Sequence, residues 1–185
     1  MDGDGAGDYA VGAYLERDPA DSSLIRGSVT VYSGQSGAEL YKLWGEVDST
    51  LGWSCDGAGD VDGDGVGDWI VGAPSVDTSA GAQRYAAVHS GLDGSLLFRI
   101  DGEDVQFAFS LRGAGDVNGD GLADLIVGNL KENSAAENAG AAHVFLGGSP
   151  APQRYCSAGP SSVGAGALID FRGGPRSRST SSACS

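Results

Sequence analysis

One acidic cassette recurs along the chain and limits what it can fold into. It reads Gly-Asp-Val-Asp-Gly-Asp-Gly-Val-Gly-Asp over 59–68 and Gly-Asp-Val-Asn-Gly-Asp-Gly-Leu-Ala-Asp over 115–124. A shorter copy, Asp-Gly-Asp-Gly-Ala-Gly-Asp at 2–8, has the same ending without the opening Asp. Counted from that opening Asp, side-chain oxygens fall at loop positions 1, 3, 5 and 9. They are Asp60, Asp62, Asp64 and Asp68 in the second loop, and Asp116, Asn118, Asp120 and Asp124 in the third. The first loop has only Asp2, Asp4 and Asp8. Hard cations such as calcium take six or more oxygens at short range, and alternate residues of a tightly curled loop can aim them inward. Gly65 and Gly121 stand at position 6, where the sharp turn favours a residue without a Cβ. The backbone carbonyl at position 7 (Ala6, Val66, Leu122) is the natural further ligand. Asp and Gly also dominate ordinary turns, but a plain turn does not need four oxygen-bearing side chains held in mutual repulsion. The repeated offsets therefore predict calcium binding.

The flanks exclude a helix–loop–helix calcium site. Such a loop ends on a bidentate acid at position 12 and opens into a helix. Here position 12 is Val71 or Val127, inside Trp-Ile-Val-Gly (69–72) and Leu-Ile-Val-Gly (125–128). Short β-branched runs stopped by Gly read as buried strands, so the loop joins two strands.

Everything else recurs in phase. Asp62 lies 60 residues after Asp2, and Asn118 lies 56 after Asp62, a period that means stacked supersecondary units. Each loop is followed by Tyr-Ala-Val-Gly-Ala (9–13), Trp-Ile-Val-Gly-Ala-Pro (69–74) or Leu-Ile-Val-Gly-Asn (125–129), then by a variable polar loop. A second strand follows at 27–34, 86–91 or 141–147, and a further one at 39–43 and 95–100 in the first two units. Leu51-Gly-Trp-Ser and Phe107-Ala-Phe-Ser introduce the next loops. Each unit thus has four short strands, with the acidic loop between its first and second.

With those residues in view, the chain resembles the FG-GAP repeat family, the blades of integrin α-subunit β-propellers and of many bacterial surface proteins. Leu51-Gly52 stands where Phe-Gly is usual, and Val71-Gly-Ala-Pro74 matches the second motif. In the third unit Phe109-Ser110 and Gly128-Asn129-Leu130 depart from both. The resemblance implies an all-β fold: a partial β-propeller of about three four-stranded blades, at about 1–46, 47–103 and 104–148, with calcium in the hairpin loops. Propellers close with four to eight blades, so the expectation is a fragment of a longer secreted protein or, second, a chain that completes its ring by oligomerising. Either way, self-association is expected of the isolated chain.

The segment 149–185 carries no acidic loop. Residues 155–171 are similar to the start of a small C-terminal module found after such repeats in planctomycete-type secreted proteins. Beyond Arg172 the composition is Ser-, Arg-, Gly- and Pro-rich and predicts disorder. Cys156 and Cys184 are candidates to pair with each other, and Cys55 reads as a small buried thiol.

Charge narrows the function. The 25 acids outnumber 11 Lys plus Arg for a net −14, which argues against nucleic acid. No run of roughly 18 apolar residues could span a membrane. His89 and His143 fall at strand positions, His89 in the slot of Tyr32 and Phe145, and no nucleophile elbow or zinc cluster accompanies them. Catalysis is not expected. The composite expectation is an extracellular or cell-surface adhesion or ligand-binding module with calcium as cofactor and a protein or glycan as partner. The alternative is a non-catalytic accessory domain of a secreted enzyme. The variable stretches Leu15–Arg26, Ser75–Gln83 and Leu130–Ala139 are the candidate ligand loops.

Overall fold

A computed structural model describes residues 4–75, 83–103, 106–131, 140–148 and 153–158. Every element in these residues is a strand: β1 (Tyr9–Ala13), β2 (Ser28–Tyr32), β3 (Glu39–Trp44), β4 (Ser54–Gly59), β5 (Asp68–Ala73), β6 (Tyr85–His89), β7 (Leu96–Asp101), β8 (Phe107–Gly115), β9 (Asp124–Asn129), β10 (Ala141–Leu146) and β11 (Gln153–Ala158). They form three antiparallel meanders, β1-β2-β3, β4-β5-β6-β7 and β8-β9-β10-β11. The chain is all-β and its sheets are consecutive blades of a partial β-propeller.

The cassette sits where the sequence places it, between β4 and β5 and between β8 and β9. The fourth strand of the third blade, β11, lies past residue 148, beyond the point where the repeat pattern ends. Neither an acidic loop nor a Gly-terminated β-branched run marks it. The residues from 159 on, including Cys184 and the stretch expected to be disordered, lie outside the described residues, as does Asp2.

The continuous apolar run of β5 is buried along its whole length because both faces are covered. Trp69, Val71 and Ala73 pack with Val29 and Val31 of the blade before and with Leu51 of the segment that links the two blades. Ile70, Ala86 and Val88 pack with Phe107, Ala108, Leu111, Leu125 and Val127 of the blade after. Trp69, Ile70 and Val71 are 0% exposed, and burial of that kind contributes roughly 1.5–3 kcal/mol per side chain. Where blade 3 seats on blade 2, the contact is close enough to need glycine: a Cβ at Gly72 would lie 2.6 Å from the Ala108 carbonyl oxygen.

The backbone agrees with the pairing of Leu51-Gly-Trp-Ser and Phe107-Ala-Phe-Ser and corrects only the choice of Phe-Gly counterpart in the third unit. Gly52 has φ 88 and Ala108 has φ 60, so Phe107-Ala108, not Phe109-Ser110, stands where Leu51-Gly52 does. Cys55 is half-buried rather than buried; it packs at the edge of the blade 1–blade 2 core, and burial pushes its thiol above the ordinary value.

Candidate metal loops and the opposite strand ends

In the loop joining β4 to β5 the carboxylates cap the backbone that carries them. Asp60 accepts the Gly63 amide at 2.7 Å on one oxygen and the Gly65 amide at 3.0 Å on the other. Asp62 accepts from Asp64 (3.0 Å) and Asp64 from Val66 (2.7 Å). These side chain-to-backbone bonds two to five residues long curl the loop on itself. Gly65 has φ 86, Gly121 φ 94 and Gly5 φ 88, so position 6 of every loop adopts the left-handed conformation expected of it.

The curl brings Asp60, Asp62 and Asp68 together, with one carboxylate oxygen of each within 4.8 Å of the others. Asp64, the fourth predicted side chain, is turned into its own bond to Val66. The donor set is all oxygen, the chemistry that suits a hard cation.

The third loop repeats the construction with one change. Asp116 accepts from Gly119 (2.6 Å), Asp120 (3.1 Å) and Gly121 (2.9 Å), and Asp120 accepts from Leu122 (2.9 Å). Asn118 accepts the Asp120 amide at 2.9 Å and donates its own amide to the Asp120 carboxylate at 2.8 Å. That donated bond holds the Asp120 carboxyl below the usual carboxylate range, with the Leu122 amide adding to it. In the first loop Asp4 accepts from Ala6 at 2.7 Å, the same local turn.

The closing Asp has a second task that sequence reading missed. Asp68 accepts the Val61 amide at 2.8 Å and, 23 residues on, the Gly91 amide at 3.0 Å. Asp124 accepts from Val117 (2.7 Å) and Gly147 (3.0 Å), and Asp8 from Gly34 (2.9 Å). Gly34, Gly91 and Gly147 each close the strand after the variable loop, and each lies too close to the carbonyl of Gly7, Gly67 or Ala123 to carry a side chain. The spacing from the closing Asp to that glycine, 26 residues in the first unit and 23 in the second and third, was the available signal. Asp68 is 1% exposed. Burial pushes its carboxyl up, the Gly91 and Val61 amides pull it down, and the charges of Asp62 and Asp64 push it up again.

At the other end of the strands the variable loop between β1 and β2 is folded on itself. Arg26 pairs with Asp18 at 3.0 Å and Lys42 with Glu16 at 2.9 Å. The other two variable stretches lie largely outside the described residues. The same end carries an aromatic row crossing all three blades, which the sequence did not reveal. Tyr14 and Trp53 have ring centroids 4.7 Å apart, and Trp53 and Phe109 5.0 Å apart. The two histidines are strand residues. His89 stacks on Trp69 at 4.7 Å, and its Nδ1 lies 3.1 Å from the Gly94 carbonyl.

Repeated blades with an oxygen-rich loop between first and second strands define an integrin alpha-like propeller segment. Residues 110–145 match the FG-GAP repeat. The chain is 34% identical over 144 residues to integrin alpha-7 of Rattus norvegicus, covering 73% of this chain and 12% of the relative. It is 30% identical over 142 residues to integrin alpha-6 of Gallus gallus, covering 72% and 13%. Against integrin alpha pat-2 of Caenorhabditis elegans it is 34% identical over 102 residues, covering 50% and 8%. The chain belongs to the FG-GAP repeat, integrin alpha-like family and spans about an eighth of the length of the first two relatives.

Proposed function

We propose that this chain is a calcium-stabilised segment of an extracellular adhesion or ligand-binding propeller. The observation that carries the metal half of this reading is the cluster of Asp60, Asp62 and Asp68 within 4.8 Å. Asp60, Asp62, Asp64 and Asp68 with the Val66 carbonyl would hold the ion in loop two. Asp116, Asn118, Asp120 and Asp124 with the Leu122 carbonyl would do so in loop three, and Asp2, Asp4 and Asp8 with the Ala6 carbonyl in loop one. The bound ion supplies positive charge that offsets the repulsion among these carboxylates. The residues themselves curl the loop and pin it to the neighbouring turn. Calcium is then structural, holding together the end of the blades away from the variable loops.

Ligand contact belongs at the opposite strand ends. Aromatic side chains at the boundary between packed units are the usual anchors of protein recognition, and Tyr14, Trp53 and Phe109 cross two such boundaries. The integrin alpha relatives support an extracellular or cell-surface setting for a partner that is a protein or a glycan.

Calcium titration by calorimetry tests the metal reading. Expected is saturable binding that Asp60→Ala and Asp62→Ala each reduce by about one ion. No binding heat at millimolar calcium, together with melting unaffected by chelator, overturns it.

A further inference from the structure

Loops two and three are joined through their backbones. The Asp60 carbonyl accepts the Ala123 amide at 2.8 Å, and the Val61 carbonyl accepts the Gly148 amide at 2.7 Å. The seam is tight. A Cβ at Gly59 would lie 2.7 Å from that of Ala123, and one at Gly147 would lie 2.9 Å from the Val61 carbonyl oxygen. Val61 is 0% exposed, so its carbonyl has the Gly148 amide in place of water, and parting the loops would leave it without a partner.

Each residue of the seam is also tied to one of the two oxygen sets. Asp60 opens loop two, so the carbonyl that reaches Ala123 belongs to a residue whose carboxylate is in the loop two set. Ala123 stands between Leu122 and Asp124, both in the loop three set. The second bond has the same form. Val61 gives its amide to Asp68 at 2.8 Å, and Gly148 follows Gly147, whose amide goes to Asp124 at 3.0 Å. The two closing carboxylates thus stand at the ends of one bonded path through Val61 and the 147–148 turn. Fixing Asp60 and Asp68 fixes the two carbonyls that hold loop three, and fixing Asp124 fixes the amides that hold loop two.

We propose that loops two and three bind calcium cooperatively, occupation of one tightening the other through this seam; the proposal rests on the calcium reading of both loops. Without the ion, repulsion among the carboxylates opposes the closed loop. The first ion orders its own loop and, across the seam, the backbone of the neighbour, so less ordering remains for the second. Charge acts the other way, because each bound ion removes negative charge that draws in the next. That opposing effect is weakened in salt. Asp62, Asp64, Asp116 and Asp120 are exposed, and salt at about 0.15 M screens exposed charges beyond about 8 Å. Ordering across the seam therefore sets the sign.

Calcium titration of the full 185-residue chain, followed at single amides by nuclear magnetic resonance in about 0.15 M salt, tests this. The Gly65 amide reports loop two and the Gly121 amide loop three. Asp64→Ala should weaken binding at loop three by about fivefold or more, and Asp120→Ala should weaken loop two by the same factor, because coupling between two sites is reciprocal. In Asp120→Ala, calcium should still slow hydrogen exchange at Ala123 and Gly148, across the seam from the occupied loop. Asp64→Asn and Asp120→Asn, which keep the side-chain shape, replace either variant that does not fold. Affinities at one loop that ignore the other, binding that weakens as both fill, unequal factors, or protection confined to loop two would each overturn the coupling and leave the calcium reading standing. A wild-type chain with no calcium shift at Gly65 or Gly121 would overturn both.

Discussion

Asp68 accepts the Gly91 amide at 3.0 Å, joining the acidic loop to the turn between β6 and β7 across 23 residues. Its other oxygen accepts Val61, so one buried carboxylate fixes both the loop and the strand that follows. Asp68→Ala leaves two amides without acceptors. Hydrogen bonds to a charged group contribute about 1.5–3 kcal/mol each, so the substitution should cost roughly 3 kcal/mol. Urea unfolding in excess chelator checks this, because the loss must appear without any metal. A full-strength fold in chelator would mean that the pin is not structural.

Calcium should raise the melting temperature. Binding to the folded state alone adds stability as the logarithm of free ion over its dissociation constant. For affinities of roughly 0.1–1 mM, each intact loop at ~10 mM calcium contributes about 1.5–3 kcal/mol. Scanning calorimetry with calcium and with chelator should then differ by several degrees.

The three loops should not bind equally. Loop two offers four carboxylates, loop three has the neutral Asn118 in place of one, and loop one has Asp2, Asp4 and Asp8. More ligand charge means tighter binding, giving the order two, three, one. Asp64→Ala should remove about one ion from native mass spectra, whereas Asp4→Ala should leave the count nearly unchanged. An equal loss from both substitutions would refute the ranking.

The loops and most strands were legible because each is a local signal repeated in phase. The cassette announces itself by spacing, and 69–72 by its β-branched run. The pin from Asp68 to Gly91 was not legible, since a residue already explained as a ligand gave no reason to seek a second partner. The Phe-Gly position of the third unit was obscured because an Ala at 108 takes the left-handed conformation that a Gly takes at 52, although the segments 51–54 and 107–110 already lined up in the sequence. The strand β11 was invisible because nothing in 153–158 repeats the pattern of β3 or β7. What pairs it is the free edge of β10, a property of the sheet and not of the segment.

Gly72 and Gly128 occupy the same place in successive blades but should respond differently to a methyl group. At Gly72 a Cβ meets the Ala108 backbone carbonyl at 2.6 Å, which cannot move without shifting blade 3. At Gly128 the nearest atom is the Ser110 hydroxyl, a side chain that can rotate away. Gly72→Ala should therefore cost roughly 1–3 kcal/mol, the usual range for overpacking, and Gly128→Ala well under half of that. Chemical denaturation of the two variants side by side measures the difference; equal costs would refute the account of how blade 3 seats.

His89 should make the fold sensitive to mild acid. Its ring stacks on Trp69 inside the blade, and burial pushes the imidazole below its ordinary value, the Gly94 carbonyl pulling more weakly the other way. The unfolded chain therefore takes up the proton at a higher pH than the folded one. The stability tied to neutral His89 is fully present above about pH 6.5, the ordinary imidazole value. It is lost as pH falls through the lowered folded value. His89→Phe removes the titration with little change of shape, since Phe145 fills the equivalent position in the next blade. Urea midpoints measured from pH 7.5 down to 5 should fall more steeply for the wild-type chain than for the variant. Parallel curves would show that His89 is not the group responsible.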